Sequence, residues 1–329
     1  MKIAYLLYPE AVVINKANGI RNQALTWKKQ LEGRCEVDLI SPWDEIDWIR
    51  YDAVHIFGGD QWLGFIPDLL KKIPNVIFSP ILDSIVPIKK VKFQASLGFK
   101  GYHHAQNLYK MYLRNFKKIF VRSQYEAEYF LQAYDCPPEQ IEIVPISYDI
   151  TDEYLPCQKE KFCLHISAIY QERKNALRLI EASKKYKFPL YLGGNWGNSI
   201  QKQHIIDTID NTPWVKLIGY ISDEDALNLY RRCKVFALPS INEGVGIVAL
   251  NAAVQGANIV ITNVGGPKEY YGNFAYQVDP HNVDDIGQAV LRAMDDDTMQ
   301  PHLRQHVITN YCCEAIAERL VNAYNKLTK

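Results

Sequence analysis

The chain has 329 residues, longer than one typical hydrophobic core and comfortable for two domains. Hydrophobic residues make up 48% and charged residues 22%, the balance of an ordinary globular protein rather than a disordered one. Lys plus Arg equals Asp plus Glu at 37 each, so overall charge argues against nucleic acid as the main ligand.

In chain order, the first apolar run is residues 3–7. Pro9 and Glu10 cut it short and no small-residue cleavage site follows, so it reads as a buried strand and not as a signal peptide. Residues 21–31 have helical spacing. Residues 35–40, 53–57, 75–78 and 119–122 read as strands with helical stretches between most of them, and 141–144 as the last strand of this half. Residues 147–161 are polar, contain Pro156 and show little periodicity, the signature of a linker. The pattern then restarts. Strands are expected at 162–169, 190–192, 215–218, 235–238, 258–261 and 275–278, and helices at 176–186 and 223–232, the latter capped by Ser222. Residues 312–327 form one long final helix. Two βα cycles predict an α/β fold of two doubly wound, Rossmann-like domains facing a cleft, with ligands beyond the carboxyl ends of the strands.

The seven cysteines form no C-x-x-C unit and no metal-ligand spacing with histidine. They read as free thiols of a reducing compartment, and hence the protein as cytoplasmic. No apolar run approaches the roughly 20 residues needed to span a bilayer.

The segment richest in chemistry runs from Ser240 to Gly256. It follows an apolar strand and opens a helix. Gly244 and Gly246, with Val245 and Ile247, place bare backbone N–H groups at a helix N-terminus, suited to a diphosphate. Glu243 stands at the mouth of the turn, where a carboxylate can accept hydrogen bonds from sugar hydroxyls; the alternative is a tight turn with a solvated Glu. A second glycine pair, Gly265-Gly266, follows the next strand. Arg173 and Lys174 follow the first strand of this half and can neutralise phosphate oxygens. Gly193-Gly194 and Gly219-Tyr220 close two more strands. Each loop alone is a weak signal; the set points to one phosphate-bearing ligand. The run Asp295-Asp296-Asp297 lies near a helix end and reads as a solvated terminus, so no metal site is expected.

These motifs resemble those of the family 4 glycosyltransferases, retaining enzymes of the two-domain GT-B fold. The family signature, two Glu eight apart within E-G-F-G-L and then a G-G-x-x-E loop, reads here E-G-V-G-I from Glu243 and G-G-P-K-E from Gly265 to Glu269. The resemblance extends to Lys174-Asn175, to L-I-E-A at 179–182, to L-I-G-Y-I-S at 217–222, to a glycine loop near Gly19 and to the final helix. It implies an acceptor domain over 1–148, a nucleotide-sugar domain over 149–310, and a helix over 311–329 crossing back to the first. It also implies transfer of a sugar from a nucleotide-diphosphate donor to a glycan or lipid-linked acceptor in polysaccharide synthesis, with no cofactor and no metal. Glu243 would orient the donor sugar and Lys174 would hold the diphosphate. Three positions depart from the family. Its second Glu falls on Asn251, which would hold the ribose through an amide. An Arg often found six residues before the motif Lys is Ala168. A His expected at the end of a first-half strand is Ile81, with Asp83 the nearest polar alternative. These departures keep open a catalytically silent scaffold of the same fold, or a nucleotide-sugar epimerase.

Between Asp83 and Glu126 there is no acidic residue, while nine Lys or Arg from Lys89 to Arg122 fall there. Phe93, Phe99, Tyr102, Tyr109, Tyr112 and Phe116 are interleaved. The stretch reads either as a basic aromatic face for the inner surface of an anionic membrane, or as solvated helices with aromatics in the core.

Overall fold

The computed structural model of the chain describes residues 1–7, 19–40, 45–58, 66–81, 86–99, 101–150 and 153–327. They form two units, Met1–Ile146 with Cys313–Lys329, and Ser147–Cys312. Asp83 and Lys100 lie outside the described residues.

The first unit is built on six parallel strands: β1 (Lys2–Leu7), β2 (Glu36–Leu39), β3 (Ala53–Phe57), β4 (Val76–Ser79), β7 (Lys118–Val121) and β8 (Ile141–Ile143), in the order β2-β1-β3-β4-β7-β8. A two-stranded hairpin, β5 (Gly98–Phe99) with β6 (Tyr102–His103), stands apart from this sheet. Every residue of β3 and β4 is buried, which is why both read as unbroken apolar runs: helices cover both faces of a parallel sheet.

The helix Gln124–Tyr134 starts at Ser123, whose Oγ accepts from the Glu126 amide at 3.1 Å. The Glu126 carboxylate in turn accepts from the Arg122 backbone at 2.6 Å and from its Nε at 2.8 Å. Arg122, counted above with a basic surface, is therefore an internal ion-paired residue.

The last helix, Cys313–Asn325, closes this same unit. Tyr324 Oη bonds His55 Nδ1 at 2.6 Å and Tyr5 Oη at 2.9 Å, and His55 Nε2 bonds Ser79 Oγ at 2.8 Å. A polar chain fully enclosed in the core thus fastens the helix to three strands, each member satisfied by the next.

The second unit repeats the plan. Its strands are β9 (Glu160–Ala168), β10 (Leu190–Asn195), β11 (Val215–Gly219), β12 (Cys233–Leu238), β13 (Asn258–Thr262) and β14 (Tyr276–Val278), all parallel, in the order β11-β10-β9-β12-β13-β14. The order reverses between β9 and β12. The expected linker is not a free tether. Lys159 Nζ donates to the carbonyls of Tyr230, Arg231 and Gln255 at 3.3, 2.7 and 2.7 Å, at the ends of two helices. Tyr154 lies under the Arg304 guanidinium, 4.3 Å from ring centroid to Cζ. Cationic and aromatic side chains thus anchor the irregular segment to the second unit.

Candidate active site

β9 and β12 lie side by side where the strand order reverses, the position at which open parallel sheets bind ligands. The loop after β9 makes a 3-10 turn over Glu172–Lys174 and reverses at Asn175, which is buried at φ 60°. Asn175 tolerates that left-handed backbone and uses its amide there, donating to Pro239 O at 2.8 Å and Pro280 O at 2.6 Å. Ile241 N donates to Arg173 O at 2.8 Å. The loop after β9 is thereby stitched to the loop after β12, and Lys174 faces Glu243.

Lys174 Nζ donates to Glu243 Oε2 at 2.6 Å, and Ser240 Oγ donates to the same oxygen at 3.0 Å. Ser240 is fully buried and Glu243 is 6% exposed. This corrects the expectation of a carboxylate at an open loop mouth: ammonium and hydroxyl together compensate its desolvation. No described residue donates to Oε1, which remains able to accept.

The second glycine loop supports this carboxylate from behind. Gly265 bridges Glu243 in parallel fashion at φ 89°. A Cβ there would stand 2.2 Å from Glu243 O, so only glycine lets the two backbones approach. Below them His165 Nδ1 donates to Ala237 O at 2.8 Å, and Nε2 accepts from Ser167 Oγ at 2.7 Å, joining β9 to β12. Burial pulls its pKa down to about 4, so the imidazole is neutral.

The helix Ile247–Val254 begins at Gly246, and no side chain caps its first amides. Tyr271 Oη donates to Gly246 O at 2.7 Å and holds that turn.

The other expected residues divide. Arg173 bonds Gln171 Oε1 through Nε at 3.0 Å. Gly193 and Gly194 lie within β10 rather than beyond it, because the strand continues to Asn195. A Cβ on Gly194 would meet the backbone Ser167 O at 2.0 Å, so strand packing alone accounts for that glycine, whereas one on Gly193 would meet only the tip of the Ile221 side chain, Cδ1 at 2.0 Å. Gly219 ends β11 and Tyr220 is 88% exposed beside it. Val245 is buried, and Gly244 and Gly266 sit in the two loops at Glu243. Asn251 Oδ1 is occupied, accepting from Asp149 N at 2.9 Å. Gly19 opens the helix Gly19–Gln30 of the first unit.

The acidic run is solvated, as expected, and also paired: the Asp295 and Asp297 side chains are 75% and 90% exposed. Lys161 bonds Asp295 at 2.8 Å, Tyr276 Oη bonds Asp296 at 2.6 Å and Lys234 pairs with Asp297. A cavity of about 540 Å³ opens beside Asn175, lined by Tyr170, Arg178, Glu181 and His204 among others; it includes neither Lys174 nor Glu243.

Sequence reasoning assigned no role to Ser240, His165 or Asn175. Ser240 and Asn175 left a signal, the one three residues before Glu243 in the same segment and the other beside Lys174 in the resembling motif; His165 left none.

Residues 150–310 match the family described as "Glycosyl transferases group 1". The O-antigen chain mannosyltransferase B of Escherichia coli is 25% identical over 235 residues, covering 64% of this chain and 61% of that protein. A serotype-specific mannosyltransferase WbdA of Escherichia coli is 26% identical over 184 residues, 53% of this chain and 21% of that protein. The chain thus spans less than two thirds of the length of these curated relatives. Among solved structures, sucrose-phosphate synthase from Thermosynechococcus elongatus superposes with a TM-score of 0.78 at 17% identity, covering 100% of this chain and 99% of that one. Anabaena HepE in complex with UDP superposes with a TM-score of 0.75 at 14% identity, covering 99% and 100%. The fold is therefore the GT-B fold, and the second unit carries the sequence pattern of group 1 glycosyl transferases.

Proposed function

We propose that this chain is a retaining, metal-independent glycosyltransferase of the family 4 type. It would move a hexosyl group from a nucleotide-diphosphate sugar to a glycan or lipid-linked acceptor in polysaccharide synthesis. The observation that carries this reading is the convergence of Lys174, Ser240 and Glu243 at the reversal point of the second sheet, beside an uncapped helix N-terminus. The mannosyltransferase names of the similar proteins support a mannosyl donor as the first to test.

In this reading the donor diphosphate replaces the Glu243 carboxylate as partner of Lys174. Its remaining charge rests on the amides at Gly246 and Ile247. Glu243, still held by Ser240, is then free to accept hydroxyls of the sugar. The bond from the anomeric carbon to the phosphate oxygen breaks, and the acceptor hydroxyl bonds that carbon from the same face. Its proton passes to the departing phosphate. No cofactor or metal ion takes part in these steps; Lys174 and the amides carry the charge.

Thermal shift of the purified chain against UDP-, GDP- and ADP-sugars tests the donor class, and NMR of the product tests retention. Glu243→Gln should abolish transfer with nucleotide affinity kept within about threefold, whereas Lys174→Met should weaken nucleotide affinity by about tenfold or more. Full turnover in Glu243→Gln would sink the assignment. One observation favours a silent scaffold instead: the Asn251 oxygen is already taken by the Asp149 amide. That reading expects no nucleotide to shift the melting temperature and no donor hydrolysis. An epimerase would invert the sugar without transferring it.

A lipid-linked acceptor would be met at an anionic membrane surface, and peripheral attachment there is part of the proposal.

A further inference from the structure

The basic stretch of the first unit divides cleanly into an inner and an outer set. Tyr109, Tyr112 and Phe116 pack against the core cluster of that unit. Lys110 pairs with Asp135, Lys118 Nζ donates to Glu139 O at 2.6 Å, and Arg122 is buried with Glu126. These residues are structural.

The outer set differs. Sixteen large apolar residues are exposed among the described residues, and five of them lie between 93 and 111: Phe93 at 64%, Leu97, Phe99 at 71%, Leu108 and Met111 at 51%. Their placement makes a path across neighbouring elements. Phe93 and Leu97 are one turn apart at the end of the helix Ile88–Ser96. His104 N donates to Leu97 O at 2.9 Å, and Leu108 N donates to His104 O at 3.1 Å, so Leu97 adjoins the start of the helix Ala105–Leu113. Leu108 and Met111 then follow on one face of that helix. Phe99 belongs to the β5–β6 hairpin that joins the two helices. The hairpin is braced: Asn107 Nδ2 donates to Ala95 O at 2.7 Å, and His103 Nδ1 meets Asn107 Oδ1 at 2.6 Å. Lys89 and Lys90 are exposed one turn before Phe93 and Arg114 one turn after Met111; Lys117 is exposed just beyond the second helix, and Lys92, also exposed, is 3.4 Å from Asp135.

Single exposed apolar residues need no explanation, but a braced array of them rimmed by cations does. We propose that this face is a peripheral docking surface for an anionic lipid bilayer. Phe93, Phe99 and Met111 enter the headgroup–acyl boundary, while Lys89, Lys90 and Lys117 meet the lipid phosphates. Charge complementarity selects lipid over a second copy of this chain, since the same basic rim on two copies would repel. Insertion of side chains makes attachment two-signal: charge brings the protein to the surface and apolar burial retains it. No helix among the described residues is long and apolar enough to cross a membrane, so contact of this kind stays at one face. The surface deepens the acceptor side of the proposed function, because it would hold the enzyme where lipid-linked acceptors lie.

Co-sedimentation with vesicles of phosphatidylcholine alone, and of phosphatidylcholine with phosphatidylglycerol, tests it at low and high salt. The full chain should pellet with the anionic vesicles and not with the neutral ones. The pair Phe93→Ser and Phe99→Ser should lower partition by about tenfold or more at both salt levels. The triple Lys89→Glu, Lys90→Glu and Lys117→Glu should lower it chiefly at low salt, where charge is least screened. Phe93→Trp, which keeps an interfacial ring, should bind at least as well as the natural chain and guards against a folding artefact. Equal pelleting on both vesicle types, no pelleting, or unchanged binding of the Phe pair would overturn the proposal. So would a dimer in solution that the Phe pair converts to monomer, since a second copy would then cover the face. Nucleotide-sugar thermal shift, run in parallel without vesicles, separates the two readings: its loss sinks the enzyme and leaves the docking face, and the converse result sinks the docking face alone.

Discussion

Removing Lys174 tests whether the pair it makes with Glu243 is a buried structural contact as well as the seat of donor binding. The two charged atoms are 2.6 Å apart, with side-chain exposures of 13% and 8%. At an effective dielectric of about 20, Coulomb's law gives about 6 kcal/mol of attraction, most of it offset by desolvation. Lys174→Met leaves the Glu243 carboxylate buried with Ser240 as its partner. The cost of a buried charge that has lost its counter-ion is about 3 kcal/mol. In a unit of this size that lowers the melting temperature by roughly 6–12 °C. Glu243→Gln should cost less, about 1–2 kcal/mol, because the amide still accepts from both Ser240 and Lys174. The double variant closes a thermodynamic cycle, and its coupling energy should reach about 2 kcal/mol at low salt and persist at high salt. Differential scanning calorimetry of the four proteins reads all of these values. A coupling below about 0.5 kcal/mol, or one that vanishes with salt, would show a solvent-exchanged surface pair and refute the reasoning.

Further outcomes follow from neighbouring contacts. Gly265→Ala combines a left-handed backbone with a Cβ 2.2 Å from Glu243 O, so it should cost about 2–4 kcal/mol and lower turnover; an unchanged melting point would contradict the close approach. His165 is neutral when folded, with its pKa lowered from 6.5 to about 4, and the unfolded chain takes up the proton first. Its contribution is therefore complete above pH 6.5 and falls by about 3 kcal/mol as pH drops towards 4; urea titrations should show this slope weakened in His165→Gln. Lys159→Met removes a cation from three carbonyls at two helix ends and should destabilise the second unit by about 2 kcal/mol, read as a lower urea midpoint at unchanged slope.

Much of the architecture was legible because its signals are local. The strands at 53–57, 119–122 and 258–261 are short apolar runs between turn residues, and each is found within one residue of its expected position. The helix Asp223–Arg232 was readable from Ser222, which does accept from the Asp225 amide. β10 runs on through Gly193 and Gly194, which look like a turn in sequence; Gly194 is required by the close approach of the β9 backbone, which no local pattern reveals. At the site, Glu243 and Lys174 stood out by type and by resemblance. Their contact across 69 residues, and the buried state it imposes, depend on Asn175 and Ile241 joining two loops, a long-range fact. His165 was invisible for the same reason: its partner is a backbone carbonyl 72 residues away. The basic stretch stays open between a surface face and solvated helices over core aromatics, because composition cannot separate Lys110, turned to Asp135, from Lys89, turned to solvent.

The fastening of Tyr324 to Tyr5 and His55 sets an order of events during synthesis. Residues 147–312 of the second unit are contiguous, so its sheet can close as soon as they have left the ribosome. The first unit, although translated earlier, lacks a core helix until residue 325 has emerged. Until then Phe120 lacks the Tyr324 ring that lies 5.4 Å from its own, and the His55 imidazole and the Tyr5 hydroxyl lack their terminal partner. The usual precedence of the amino-terminal domain is thereby inverted. A nascent chain stalled just short of Tyr324 would hold a finished second unit behind an unfinished first, its apolar seam exposed to chaperones and proteases.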